Sequence, residues 1–411
     1  MATKPSTRLA VIFVFVTVFL DMVGIGLIFP VLPTIVRLIG KINIAEATLI
    51  SGWLFFAYTG MQILFGPLMG SLSDTFGRRP LLLLSVFGLA VDYLLTAFAP
   101  TLLWLFIGRL FAGLCGASYT TANAYLADIT LPEDRAKAFG YIGAAVGLGF
   151  IIGPAIGGLL GELGPRVPFF AAAFISIVNF VYGYFVLPET LPPETRRPFS
   201  WARSNPLGTF KVFMSYRQVL PLCAVLFLYY VAVSIYPAIW AFWGIARYGW
   251  SELIIGLTLA VFGLLMALTT GFLTGPVVKL LGESRTVILG LSLAVIALSG
   301  LAYAPSTAVV LLITLINAPE GWTDPALVAL MSNEAPADAQ GELQGGIASA
   351  KNVAMLIGTP MFAQIFGHYL SQGSAVDASV ASFLTAAALC VAAILLFMWQ
   401  RRRKSAVSQS F

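Results

Sequence analysis

Gly70-Ser71-Leu72-Ser73-Asp74-Thr75-Phe76-Gly77-Arg78-Arg79-Pro80 separates two long apolar runs, at about 46–70 and 81–99, and its Asp74, Arg78 and Arg79 are the first charges after Glu46. Its physical logic is that of a tight turn. Gly70 and Gly77 let two helix ends approach, and Asp74 is placed to cap a helix start or to pair with the arginines. Apolar runs this long, joined by a turn this short and basic, read as two neighbouring membrane-crossing helices with a cytoplasmic connection.

Working outward, apolar runs of the same kind stand at about 9–32, 101–127, 137–162 and 167–187, and then at 219–245, 252–278, 285–304, 307–331, 342–368 and 378–399. With the first two, the chain holds twelve candidate spans of roughly 20 residues or more. The only long polar stretch, Pro188 to Gln218, divides them six and six. The expected architecture is all-α and polytopic: a six-helix bundle over 1–187, a cytoplasmic linker over 188–218, and a second six-helix bundle over 219–411 with a short basic tail.

Charge placement fixes the expected orientation. Lys4, Arg8, Arg78, Arg79, Arg135, Lys137, Arg196, Arg197, Arg203, Lys211, Arg217, Lys279, Arg285 and Arg401 to Lys404 fall on one side, against Arg37, Lys41, Arg166 and Arg247 on the other. The positive-inside rule then puts both termini and the linker in the cytoplasm, and an even number of spans follows, in agreement with the apolar count. The N-terminal apolar run continues past Leu27, contains Asp21 and lacks a small-residue cleavage site, so it reads as the first span and not as a signal peptide.

Composition agrees. Of 411 residues, 59% are hydrophobic and 10% charged, with a mean hydropathy of +0.92, where a soluble domain carries about 25% charged residues. The net charge of +5 lies in loops, so it is no nucleic-acid footprint. Cys115, Cys223 and Cys390 are scattered through apolar runs and suggest no disulfide framework. His368 is the sole histidine, which argues against a metal site or a Ser-His hydrolase. No phosphate-binding GxxxxGK[ST] loop is present, so no nucleotide is expected and a gradient must supply the energy.

The two halves repeat. Gly70 to Gly77 has a counterpart in Gly275 to Gly282, and Gly153-Pro154 in Gly358-Thr359-Pro360, with Gly70, Gly77 and Gly153 all offset by 205 residues from their partners. Parallel repeats of this kind predict two bundles related by a pseudo-twofold axis along the membrane normal, with a substrate site between them.

Ionisable residues inside spans are the candidate machinery, since each costs about 2.5–3.5 kcal/mol at a helix centre and needs a partner or water. Asp21, Asp92 and Arg109 form the first-half set, and Glu320, Asp324 and Lys351 the second. Glu320 and Asp324, four apart beside Pro319 and Pro325, are expected to share a helix face. Asp21, Asp92, Glu320 and Asp324 are the proton-coupling candidates. The competing reading of any one is a static ion pair holding spans in register. Gln62, Arg109, Tyr236, Trp240, Met266 and Lys351 are candidates to line a substrate cavity. For the span 7 aromatics, anchoring at the membrane interface is an equal alternative, above all for Trp243, Tyr248 and Trp250.

Two motifs carry a resemblance. The turn from Gly70 to Arg79 matches the G-x-L-x-D-x-x-G-R-[RK] signature of the major facilitator superfamily. Gly149-Phe-Ile-Ile-Gly153-Pro154-Ala-Ile-Gly157-Gly158 resembles the motif associated with that superfamily's antiporters, and its spaced glycines suit close helix packing with a bend at Pro154. Leu20-Asp21 through Pro33, Met61-Gln62, Val91-Asp92-Tyr93, Ile107-Gly-Arg109-Leu110, Ala127-Asp128-Ile-Thr130, Leu187-Pro-Glu189 and Gln340 through Gly345 are similar to the tetracycline/proton antiporter family, most densely in the first half. The resemblance implies roles for Asp21, Gln62, Asp92, Arg109 and Asp128, and a conformational latch built from Gly70, Asp74, Gly77, Arg78, Arg79, Asp128 and Arg135. In the second half Met266, Thr270 and Ala294 stand where that family has a histidine, a glutamine and an aspartate. Glu320, Asp324 and Lys351 stand where it has no charge.

The expectation is a proton-driven exporter of small amphipathic molecules, tetracycline-like or otherwise, in a bacterial-type inner membrane. It needs no cofactor beyond the proton gradient and is expected to act as a monomer. A uniporter or proton symporter of the same fold is the alternative, and an enzyme is not expected, for want of a nucleophile-base pair or metal ligands.

Overall fold

The computed structural model describes residues 7–116, 118–130, 135–199, 216, 218–336 and 339–408. Within them every regular element is a helix. The first half contains α1 (Thr7–Ile28), α2 (Leu32–Gly40), α3 (Ile44–Phe76), α4 (Arg78–Ala97), α5 (Leu102–Cys115), α6 (Ser118–Ile129), α7 (Arg135–Gly161) and α8 (Val167–Val186). The second contains α9 (Leu220–Val233), α10 (Ile235–Tyr248), α11 (Glu252–Leu268), α12 (Thr274–Leu281), α13 (Glu283–Tyr303), α14 (Thr307–Asn317), α15 (Thr323–Ser332), α16 (Gln340–Ser371) and α17 (Ala375–Ser408). Arg203, Lys211, Arg217 and most of the linker lie outside the described residues, as do the side chains of Arg8, Arg135 and Lys137.

Nine of the described helices, counting α9 with α10 and α11 with α12, are long and apolar enough to cross a membrane, and a bent pair makes a tenth. Breaks divide the runs that composition reads as single spans. The first run is broken after Ile28, and α2 leaves at 52° to α1, because Pro30 and Pro33 remove backbone donors where the helix would continue. The run at 101–127 is carried by α5 and α6, and the run at 307–331 by α14, a 3₁₀ segment (Ala318–Trp322) and α15. α11 passes into α12 through a π segment, Thr269–Leu273. Pro154, by contrast, sits inside α7 without breaking it.

The chain forms two compact units. One comprises residues 1–42, 57–206 and 250–263; the other comprises 43–56, 207–249 and 264–411. The opening turns of α3 thus belong to the second unit, and most of α11 to the first. In the first unit a buried core gathers Val14 and Val18 of α1, Leu82 of α4, Tyr125 and Leu126 of α6, and Ile142 and Ala145 of α7. In the second, Leu222 and Leu226 of α9, Leu291 of α13, Leu327 and Met331 of α15, Leu343 and Ile347 of α16 and Phe397 of α17 do the same. Large apolar side chains also face outward, Phe185 at 78% and Leu280 at 82% exposure. A water-soluble surface would not carry many such residues; lipid accepts them.

Lipid is as apolar as leucine, so helices associate through close packing at small residues. α7 shows this along one stripe. A Cβ on Gly149 would meet Met22, one on Gly153 would meet Gly26 and the Val23 carbonyl, and one on Gly157 would meet the Leu27 backbone, all on α1. One turn round, Gly158 lies against Glu252 and Leu253, and Gly256 of α11 against the Pro154 carbonyl. The second unit repeats the scheme: Gly358 of α16 lies against Val231 and Ser234, and Gly52 of α3 against Ala363 and Pro360. Gly153 and Gly358 are 205 residues apart, as are Gly26 and Val231, and as are Gly158 and Ala363.

Two arginines at helix ends have assigned work. Arg166 donates to the carbonyls of Ala97 and Ala99 at 2.7 and 3.0 Å, and Arg247 donates to the Ala304 carbonyl at 3.2 and 3.0 Å. Each cation satisfies carbonyls left open at a helix C-terminus. Trp243 is neither an interfacial anchor nor a cavity wall. It is fully buried, its indole N–H donates to Ser379 Oγ at 2.9 Å, and its ring packs edge-on against Phe383. Its neighbour Tyr248 supplies the polar end, donating to the Ala304 carbonyl at 2.8 Å.

Candidate functional site

At the α3–α4 turn, Gly77 adopts φ +107°, and a Cβ there would strike the Glu189 carboxylate. Glu189 binds this turn by accepting from the backbone N–H of Arg78 at 2.9 Å while also accepting from those of Thr190 and Leu191. Arg78 pairs with Asp74 at 2.5 Å and with Asp128 at 3.0 Å. Arg79 turns away and donates to the Tyr184 carbonyl at 2.6 Å. The motif therefore ties α3, α4, α6 and the end of α8 together. Glu189 is its organising acid. Gly70 does not serve close approach within the structure, since a Cβ there meets nothing within 4 Å.

That contrast yields a stability test. Gly77→Ala is expected to cost about 1–3 kcal/mol through left-handed backbone strain and the Glu189 clash, whereas Gly70→Ala costs nothing measurable. Thermal unfolding in detergent reads both, and equal midpoints for the two variants would contradict the assignment.

Inside the first unit, Asp21 and Asp92 are buried. Asp92 pairs with Arg109 Nη2 at 2.6 Å, and the same nitrogen reaches Thr96 at 3.4 Å. The guanidinium lies over the Tyr58 ring, 5.9 Å from its centroid, and the Tyr58 hydroxyl accepts from Gln62 Nε2 at 2.8 Å. Asp92, Arg109 and Gln62, far apart in sequence, thus belong to one chain of contacts through Tyr58. Asp21 takes a hydrogen bond from Asn179 Nδ2 at 3.4 Å, and Thr17 donates to Asn179 Oδ1 at 3.2 Å.

In the second unit the acids part company. Asp324 pairs with Lys351 Nζ at 2.6 Å, and that ammonium stands 5.1 Å from the centroid of the Tyr230 ring. Glu320 is 1% exposed, takes no ion pair among the described residues, and accepts from the Tyr236 hydroxyl at 3.3 Å. Expected on one helix face, Glu320 and Asp324 take different partners, and the 3₁₀ segment that carries Glu320 ends between them. Tyr236 packs edge-on against Trp240 at 6.2 Å. Met266 and Thr270 both abut Gly321, so two of the three positions that differ from the resembled family touch the segment bearing Glu320.

Sequence reading missed Tyr58, Asn179 and Asn317. The two asparagines left a signal, as lone amides in apolar runs; Tyr58 left only its four-residue spacing from Gln62.

Comparison with known proteins decides the family. The model of the Major Facilitator Superfamily matches residues 14–359 and again 222–410. The chain belongs to the major facilitator superfamily. Among relatives, it is 38% identical to the tetracycline resistance protein, class C, of Escherichia coli, over 95% of this chain and 98% of that one. The class B protein of Escherichia coli is 37% identical over 89% of each. Multidrug resistance protein 2 of Bacillus subtilis is 27% identical over 95% of each. Solved structures share the fold. The nucleoside transporter NupG superposes with a TM-score of 0.77 at 13% identity, covering 95% of this chain and 98% of its own. The human organic anion transporter MFSD10 gives 0.71 at 23%, covering 96% and 100%. This facilitator is a multi-pass membrane protein of transporter kind, with no enzymatic relative among these matches.

Proposed function

We propose that this facilitator is a proton-coupled antiporter that exports small amphipathic drugs, tetracycline-like compounds among them, across the bacterial inner membrane. The tetracycline resistance relatives support the substrate class, and the glycine stripe of α7 supports the antiporter reading. The repeated offset of about 205 residues in helix packing supports twelve spans in two related six-helix bundles, with boundaries near 187 and 219. The excess of lysine and arginine on one side supports cytoplasmic termini. The unit that works is a single chain, and the proton gradient replaces any cofactor or nucleotide.

Glu320 carries the reading. It is a carboxyl buried within a broken span, served by a hydroxyl and by no cation among the described residues. An uncompensated charge there is costly, so a proton is the natural counterpart. Asp92 and Asp324 already hold Arg109 and Lys351 and are better placed to keep helices in register or to exchange partners. Asp21, held by Asn179 in the first unit, is the second proton candidate. Arg78 with Asp74 and Asp128 is the latch that breaks and reforms as the halves alternate. One charge moved across 100 mV is worth about 2.3 kcal/mol, roughly fifty-fold accumulation before any pH gradient is counted.

Two measurements test this. In an efflux-deficient host, the chain is expected to raise tetracycline resistance, and its Asp21→Asn and Glu320→Gln variants are expected to lose that protection. In proteoliposomes, adding drug is expected to release protons against the direction of drug movement. Proton movement in the same direction as the drug would establish symport instead, and drug flux without protons a uniporter.

A further inference from the structure

Asn317, Tyr236 and Glu320 are joined in a row. Asn317 Nδ2 donates to the Tyr236 hydroxyl at 2.7 Å, and that hydroxyl donates to Glu320 Oε2 at 3.3 Å. The row bridges the break in the run at 307–331. Asn317 is the last residue of α14, Glu320 lies in the 3₁₀ segment, and Pro319 between them has no backbone N–H to give. Tyr236, from α10, therefore clasps both sides of the break with one oxygen.

The far end of the row is unfinished. Asn317 is 1% exposed, yet its Oδ1 accepts no hydrogen bond among the described residues. A buried amide oxygen without a donor is uncommon, because it gave up water for no partner. It acquires a use once Glu320 gains a proton. A carboxylate only accepts, whereas a carboxylic acid also donates.

We infer that these three residues form a two-state hydrogen-bond relay in which the amide of Asn317 reports whether Glu320 carries a proton. With Glu320 ionised, the direction runs from Asn317 N–H to Tyr236 and from Tyr236 O–H to the carboxylate, as the structure has it. With one proton added to Glu320, the carboxyl O–H donates to the Tyr236 oxygen. The Tyr236 proton, which never leaves its oxygen, then turns to Asn317, and the amide rotates so that Oδ1 receives it. Each state satisfies the hydroxyl as donor and acceptor, and only the second satisfies Oδ1. No covalent bond breaks, and the one proton gained stays on Glu320.

The signal lands on an element built to move. Ala318, next to Asn317, gives its carbonyl to Thr269 Oγ1 at 3.0 Å, and Trp322 Nε1 donates to the Thr269 carbonyl at 3.1 Å. Thr269 opens the π segment, so a 3₁₀ stretch and a π stretch are bonded to each other where Glu320 sits. Irregular helical turns of both kinds concentrate at functional hinges. Three other polar groups near Glu320 are the Tyr229 hydroxyl, which donates to the Glu320 backbone carbonyl at 3.4 Å, the buried Cys390 thiol, and Asp324, which pairs with Lys351. Tyr236 and Asn317 are thus positioning residues that act through Glu320, and the inference rests on Glu320 being a proton carrier.

Infrared difference spectra of the purified full chain, acid minus neutral and with isotope-labelled asparagine, test it without any substrate. The wild-type spectrum is expected to show a protonated-carboxyl band that Glu320→Gln removes, together with an asparagine amide band that Asn317→Leu removes. Tyr236→Phe, which keeps the ring and its packing on Trp240, is expected to retain the carboxyl band at a shifted frequency and to lose the amide band. A carboxyl band assigned to Glu320 with no accompanying amide change, or an amide change that survives in Tyr236→Phe, overturns the relay and leaves the proton-carrier reading standing. Absence of any band sensitive to Glu320→Gln overturns both.

Discussion

Arg109→Gln is expected to leave little folded protein, because it strands Asp92 in a site with 0% exposure. The Asp92–Arg109 pair at 2.6 Å is the only ion pair either residue makes among the described ones, where Asp92 Oδ1 already lacks a hydrogen-bond partner. Removing one member of a buried pair costs about 3–5 kcal/mol, whereas removing both charges together is often close to neutral. Asp92→Asn and Arg109→Gln alone should therefore each lower the yield and thermal midpoint sharply, and the double variant should recover most of that loss. Transport separates the two roles of the pair. If Arg109 meets drug through the Tyr58–Gln62 chain, the recovered double variant folds but exports nothing. A double variant no more stable than either single one would show that the pair is not held together by its charges.

Gly157→Val is the second large effect. The obstruction its side chain meets is backbone, the carbonyl and Cα of Leu27, the latter 2.7 Å from the added Cβ. Overpacking costs about 1–3 kcal/mol when side chains can yield; here α1 itself must move away from α7, so the loss should exceed that range. The control is Gly143→Val on the same helix, where a Cβ meets nothing within 4 Å. Size-exclusion profiles and thermal midpoints in a mild detergent compare them. Equal behaviour of the two variants would remove the packing role of the stripe. Export by a well-folded Gly157→Val protein would go further and separate the glycine motif from transport.

The same comparison explains why a motif that resembles one associated with antiporters is written in glycine. The spacing of Gly149, Gly153 and Gly157 places three bare patches along one side of α7, and α1 fills them with its own backbone at Met22, Gly26 and Leu27. α1 also carries Asp21, so the contact sets the position of a candidate proton site. The role is one of placement.

What the amino-acid order determined by itself was whatever depends on solvent and on neighbours along the chain. Long apolar runs must satisfy their backbone internally, so helices across lipid follow from composition alone. The basic turn at Gly77, the glycine stripe of α7 and the repeat offset were visible because each is a local pattern with a local physical cause. Asp21, Asp92, Arg109, Glu320, Asp324 and Lys351 stood out because charge in an apolar run is expensive wherever it ends up.

Only the tertiary structure decided which of those charges meet. Pairing depends on how helices rotate about their axes, and that is set by contacts between different helices. Hence Asp92 and Arg109 proved to be a pair, Asp324 found Lys351 on another helix, and Glu320 was left with a tyrosine hydroxyl. Likewise the break at Ala318–Trp322 needs both Pro319 and the bonds from Thr269 and Trp322, and a hydrophobicity pattern records neither. Trp243 makes the point in reverse: its place in the chain resembles an interfacial anchor, yet Ser379 and Phe383 draw it into the core, since a buried indole needs one acceptor and a ring to lie against.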